Sequence, residues 1–288
     1  MQAGKIASQI KIYAKSIVKK DTPLLEIAEK IENKIISLGG KIAFPTNLSI
    51  NEIAAHYTPS YNDETKAHGL LKIDFGVHIN GWTADTAFSI DLEDSEENRK
   101  LISVSEQALN EGIEKIKLNT TTSEIGKIIE KTISEKGLQP IINLSGHSME
   151  QYDLHSGVTI PNIDDKREII IEKGLYAVEP FTTTKNATGH VHEGAPSGIY
   201  SLSNPKNPRT SIAREILEFI EKEYSTLPFC SRWLIKKFGT RALIALRELE
   251  NLGIIYQFPQ LIESAKCKVA QSEDSVLITE KEKIITTR

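Results

Sequence analysis

Residues 72–90, KIDFGVHINGWTADTAFSI, constrain the chain more than any other stretch. Two runs rich in β-branched and aromatic residues flank Asn80-Gly81, a pair that readily takes left-handed conformations and is the strongest short hairpin signal. If the turn is centred there, Ile79 faces Trp82 and Asp74 faces Ala87. Asp85 lies two residues along from Ala87, so the carboxylates of Asp74 and Asp85 project from one sheet face as diagonal neighbours. Asp is poorly suited to a half-buried strand, and two like charges this close repel and lose solvation. A divalent cation between them removes both penalties; a face open to water is the plainer alternative.

Three further residues bear on that choice. His147 sits in Asn143-Leu144-Ser145-Gly146-His147-Ser148, where the glycine permits close backbone approach. Glu179 interrupts the apolar run Leu175–Phe181, read as a strand, and Glu273 follows Val269-Ala270-Gln271-Ser272 on another strand-like run. Each taken alone has an ordinary structural reading. Together with the hairpin aspartates they form four carboxylates and one imidazole, a donor set that suits Mn, Fe, Co or Zn. Pairs of such ions drive hydrolysis.

The rest of the chain supplies the frame. Ile6, Ile10, Tyr13 and Ile17 predict an amphipathic surface helix. Asp21-Thr22-Pro23 predicts a capped start for a second helix that Gly39-Gly40 ends. Apolar spacing predicts helices over 95–118 and 122–136, with short strands near 141–144, 155–160 and 175–181. After the loop signal Ser203–Pro208, helices are expected near 211–224, 231–238 and 240–252, then a strand from Ile254 to Phe258, the outline of a winged-helix module. Strand-like composition resumes over Lys268–Ile278 and Lys283–Thr287. Mixed order of this kind indicates an α+β fold.

Composition excludes several classes. With 39% hydrophobic and 26% charged residues the chain reads as packed, not disordered. A formal charge of −4 exerts no pull toward nucleic acid or anionic membrane, and no apolar run could span a bilayer. Cys230 and Cys267 are too few for a disulfide framework and not at ligand spacing, which points to reduced thiols in a cytoplasm. Lys236, Lys237, Arg241 and Arg247 tinge the helical segment basic, but Glu248 and Glu250 offset them, and DNA binding is not expected.

The segments FPTNLSINEIAAHYTP, KIDFGVHINGWTADTAFSI, NLSGHSMEQYDLHSG, GLYAVEPF and VAQSEDSVLI resemble, in order and over nearly the whole chain, type II methionine aminopeptidases, most closely the short archaeal form. The resemblance implies the pita-bread (creatinase/aminopeptidase-like) fold with pseudo-twofold halves. It places the catalytic domain at residues 1–199 and 263–288 and an inserted winged-helix-like subdomain at 200–262. It implies removal of the initiator methionine from nascent polypeptides, with a small second residue preferred, by a hydroxide that bridges two divalent ions (Co, Mn, Fe or Zn).

Carried over by motif, Asp74 chelates one ion, Asp85 and Glu273 bridge both, and His147 and Glu179 complete the other, with Glu179 also the general base. His56 of AAHYTP resembles the histidine near the scissile amide, and His155 of DLHSG the one that meets the carbonyl oxygen. His190 and His192 look like a metal motif, but matching loops supply no ligand, so a pocket rim or solvated loop is expected. His68 and His78 are assigned no role. Around Glu273 the family reads with an aromatic before and a histidine after; here Ser272 and Asp274 flank it, and the direction of the extra acid stays open. A cytoplasmic monomer is expected, with transient ribosome contact left open. A proline-specific peptidase of the same fold and a non-enzymatic ribosome- or RNA-binding homologue are the rivals; the AAHYTP segment, the insert and the full ligand set argue against them.

Overall fold

The computed structural model describes residues 1–204 and 206–288; Pro205, part of the expected loop signal, lies outside the described residues. The chain opens with α1 (Gln2–Ile17) and α2 (Leu24–Ser37). On α1 the buried face is Ala3, Gly4, Ala7, Ile10 and Ala14; of the expected apolar stripe only Ile10 is fully covered, and Ile6, Tyr13 and Ile17 lie at its margins. Small residues win because the helix lies close: a Cβ on Gly4 would meet the Thr286 carbonyl oxygen at 2.0 Å. The predicted side-chain cap on α2 is absent. Pro23 itself takes the capping position, and the Leu24 N–H is met by the Thr65 carbonyl at 2.9 Å, so no capping side chain is needed there. Gly39, at φ 82°, closes α2 as expected.

There follow β1 (Lys41–Ile50), β2 (Ile53–Ala55), β3 (Leu70–Ile79), β4 (Trp82–Asp91), α3 (Glu96–Lys115) and α4 (Thr122–Glu135). The hairpin register is the one derived from the turn: Ile79 pairs with Trp82, Asp74 with Ala87 and Gly76 with Asp85. Next come β5 (Gln139–Pro140), β6 (Ser145–Met149), β7 (Thr159–Pro161), β8 (Gly174–Val178), β9 (Phe181–Thr183) and β10 (Val191–Leu202). Here the predicted strands shift. Residues 141–144 are loop and the strand begins at Ser145; 155–160 shrinks to β7; 175–181 breaks into β8 and β9. Glu179 therefore lies not inside a strand but just past one, where Pro180 has no N–H to continue the ladder.

The insert comprises α5 (Ser211–Glu223), β11 (Phe229–Cys230), α6 (Ser231–Phe238) and α7 (Ala242–Asn251), and leads into β12 (Ile255–Glu263). Its helices enclose a core of their own around Ile216, Phe229, Leu246 and Leu249. The chain ends with β13 (Val269–Gln271), β14 (Glu273–Ile278) and β15 (Lys283–Ile285).

The largest sheet runs β1-β3-β4-β14-β8-β6-β7, with β15 beside β14. α1 and α2 cover the β1–β3–β4 half through Ile10, Ile27, Ile31, Ile73, Phe75 and Ala84. α3 and α4 cover the other half through Leu101, Ile125, Ile129, Tyr176, Val178 and Val276. Two helix-backed halves thus meet at the β4–β14 seam, with the opposite sheet face left for the insert and for β10–β12. Among the described residues no helix is long and apolar enough to cross a membrane.

Candidate metal centre

Strand periodicity decides which side chains reach the uncovered face. On β3 and β4, Ile73, Phe75, Val77, Ala84 and Phe88 enter the helix-backed core, so Asp74 and Asp85 must point the other way. Glu273 opens β14 and pairs with Ala87, the residue that also faces Asp74 across the hairpin. The Ser275 hydroxyl fixes this junction: it donates to the Asp85 carbonyl and accepts the Asp85 N–H, both at 2.8 Å. On the second half, His147 of β6 pairs with Ala177 of β8. Gly146 is obligatory there, because a Cβ would lie 2.3 Å from the Ala177 oxygen. Glu179 follows Ala177 by two residues and shares its face.

The five side chains predicted from sequence converge on one cavity of about 310 Å³. Asp85, His147 and Glu273 each offer a donor atom, all within 4.8 Å of one another. His147 Nε2 stands 3.7 Å from Asp85 Oδ2 and 3.5 Å from Glu179 Oε1. Its Nδ1 faces the Ser148 carbonyl at 3.4 Å; a carbonyl only accepts, so Nδ1 carries the proton and the Nε2 lone pair faces the acids. Burial, with the neighbouring His155, takes His147 down to about 3, so the ring is neutral and ready to ligate.

The carboxyls shift the opposite way. Burial lifts Asp74 to about 7. Asp85 is pushed well up by burial and the charge of Asp74, Glu179 by burial and the charges of Asp85 and Asp74, and Glu273 by burial and the charges of Asp85 and Glu179. Asp74 Oδ1, Asp85 Oδ1 and Glu273 Oε1 are all buried without a hydrogen-bond partner. Unpaired buried carboxyl oxygens are costly, and cations set between the four acids and the imidazole would satisfy them. The donor set therefore fits divalent metal.

His56 and His155 line the same cavity. His56 is held at φ 62°, its Nδ1 3.2 Å from the Pro259 carbonyl and its ring edge-on to Phe258; burial lowers it to about 4. The His155 ring lies 4.3 Å from that of His147 and is likewise lowered by burial. Phe44, Ile199, Pro228, Phe258 and Leu261 supply an apolar wall.

Gln271 received no role from the sequence, yet its amide donates to Glu273 Oε2 at 3.4 Å inside the cavity. Asp274, whose direction was open, turns to the helix-covered side. There it accepts from Lys11 Nζ and Arg288 Nε, both at 2.7 Å, and from Thr287 Oγ1 at 2.8 Å. Burial raises its carboxyl, but Lys11 and Arg288 more than offset this and hold it below the usual range. His190 and His192 are exposed at the start of β10 and do not line the cavity. His78 accepts the Gly81 N–H of the hairpin turn, His68 is exposed, and Cys230 and Cys267 are free thiols.

Comparison with known proteins agrees with this chemistry. The profile of metallopeptidase family M24 matches residues 1–280. The methionine aminopeptidase of Methanocaldococcus jannaschii is 42% identical over 291 residues, covering 100% of this chain and 97% of that protein. That of Thermococcus onnurineus is 43% identical over 294 residues, covering 100% and 98%. Among solved structures, a thermophilic Arx1 superposes with a TM-score of 0.84 at 15% identity, covering 99% of this chain and 88% of that one. The methionine aminopeptidase of Thermotoga maritima gives 0.71 at 18% identity, covering 100% and 94%. At such identities these two speak for the fold alone, and the fold is the expected pita-bread one.

Proposed function

The chain belongs to metallopeptidase family M24, and from that premise we propose how its cavity serves a methionine aminopeptidase. Kinship along the full chain makes it a metalloaminopeptidase acting on N-terminal methionine. The observation that carries the residue assignment is the trio of partnerless buried oxygens on Asp74, Asp85 and Glu273 beside the unprotonated Nε2 of His147. We assign two divalent ions to the site, drawn from Co, Mn, Fe or Zn. Asp74, Asp85, His147, Glu179 and Glu273 would hold them, with Asp74 at one end of the cluster, His147 and Glu179 at the other, and Asp85 and Glu273 between. Bound there, the ions would supply Lewis acidity, polarising the scissile carbonyl and lowering the pKa of water.

The chain's own groups do the rest. Glu179, half-buried at the edge of the cluster, takes the proton from the attacking water and passes it to the leaving amine. His155, whose ring is desolvated beside His147 and so held below its ordinary pKa, offers an N–H to the carbonyl oxygen as it gains charge. His56 keeps its Nδ1 proton on Pro259, which leaves Nε2 to accept from the substrate near the scissile amide. Phe44, Ile199, Pro228, Phe258 and Leu261 receive the methionine side chain and exclude water, and the narrow site favours a small second residue. The assignment carries with it a catalytic domain of residues 1–199 and 263–288, an inserted subdomain at 200–262, and a cytoplasmic monomer; the separate core of the insert and the free thiols support it.

The test is release of free methionine from a Met-Ala-Ser peptide set against hydrolysis of a proline-containing dipeptide. Metal-loaded protein should cleave the first and spare the second. The reverse preference would transfer the chain to proline-specific chemistry, and no release from either would end the enzyme assignment.

A further inference from the structure

Glu32 on α2 and Arg232 on α6, two hundred residues apart, form a fully covered bidentate pair. Arg232 Nη1 donates to Glu32 Oε2 at 2.7 Å and Nη2 to Oε1 at 2.8 Å, with side chains only 4% and 5% exposed. The remaining polar atoms are also committed. Glu32 Oε2 accepts from Trp233 Nε1 at 2.9 Å, Glu32 Oε1 from the Thr46 N–H at 3.3 Å, and Arg232 Nε donates to the Pro59 carbonyl at 3.0 Å. One ion pair therefore ties three segments to α2: β1 at Thr46, the loop after β2 at Pro59, and the first turn of α6.

Those segments build the part of the cavity that carries no metal ligand. Phe44 and Asn47 flank Thr46; His56 precedes Pro59 by three residues; Pro228 precedes Arg232 by four, and Ile199 is paired to Cys230 on β11. The β1–β3 ladder shifts register at Phe44 and again before Asn47, so the strand partner does not by itself hold this stretch. The Thr46 N–H goes to Glu32 and not to β3. Asp74, Asp85, His147 and Glu273 sit on other strands and share none of these bonds. Buried ion pairs seldom add much net stability over well-packed apolar replacements, whereas a planar fork fixes geometry. We propose, on the reading of the cavity given above, that Glu32 and Arg232 are positioning residues that set the spacing of the apolar wall, and with it the selection of methionine over other side chains.

Two variants separate this role from a merely structural one. Arg232→Lys keeps the charge and loses the fork; Glu32→Leu combined with Arg232→Met removes the pair without stranding a buried charge. For each, kcat/KM is measured on Met-Ala-Ser and Leu-Ala-Ser, alongside calorimetric affinities for free L-methionine and L-leucine and the bound-metal content. Both variants should stay folded with wild-type metal content. The methionine-to-leucine ratio should fall roughly tenfold, mostly through KM, which is the scale of discrimination a single pocket methylene provides. If either folded variant keeps the wild-type ratio in both kinetics and binding, the inference is wrong while the aminopeptidase reading stands. If wild-type protein itself releases no methionine, it is that reading which fails.

Discussion

Four carboxyls that all rise in the metal-free cavity must give up protons when cations enter. Asp74 titrates near 7, and Asp85, Glu179 and Glu273 lie well above the ordinary range, so each binds a proton more tightly than usual. Metal affinity should therefore weaken as pH falls through about 7, while His147, already neutral, releases nothing. Calorimetric titration of Mn²⁺ in buffers of different ionisation enthalpy should show net proton release, and a heat independent of buffer would contradict it. Glu179→Gln should cut kcat by about 10²–10⁴-fold. His155→Ala should cost about 10²–10³-fold in kcat with KM little changed, as expected for a group that meets charge developing in the transition state. Steady-state kinetics on Met-Ala-Ser checks both. The four acids and His147, which line one cavity, were singled out in sequence as a set and by the family resemblance, since His147, Glu179 and Glu273 each have an ordinary reading alone. Gln271 was not, because an uncharged amide on a strand violates no rule.

At the scale of elements, the hairpin was the most legible part, since Asn80-Gly81 fixes a two-residue turn and the register follows by counting. The strands of the second half were read less well. Apolar residues at 141–144 made a loop resemble a strand, and Pro180 broke a run that composition had joined. Glu179 owes its reach into the cavity to that break. Gly146 supports an equally local prediction. Alanine there would drive a Cβ to 2.3 Å from the Ala177 oxygen, parting β6 from β8 and moving His147. Gly146→Ala should lower metal affinity by about one to two orders of magnitude, the loss seen when supports of a ligand are disturbed. Gly137→Ala, where nothing lies within 4 Å of the added Cβ although φ is 72°, should cost some stability and leave metal binding unchanged. Equilibrium dialysis distinguishes the two.

Across the whole molecule, the proposed ligands are divided between the halves. Asp74 and Asp85 come from the strands backed by α1 and α2, His147 and Glu179 from those backed by α3 and α4, and Glu273 from the seam. Cations bound as proposed would therefore tie the halves together. At metal concentrations a hundredfold above Kd the gain is about 2.7 kcal/mol, which for a chain of this size is roughly 5–10 °C in Tm. Calorimetric melting with metal and with chelator should differ by that amount. The formal charge of −4 is thus not a field aimed at a partner, for four of the 39 acids line this cavity. The cross-links that knit the molecule were invisible in sequence: Glu32 to Arg232 and Lys11 to Asp274 are separated by 200 and 263 residues. The most direct test is an anomalous difference map from crystals soaked in Mn²⁺. Two peaks enclosed by Asp74, Asp85, His147, Glu179 and Glu273, lost in Asp85→Asn, are the predicted result; no peak there, or ions bound elsewhere with this cavity empty, would contradict it.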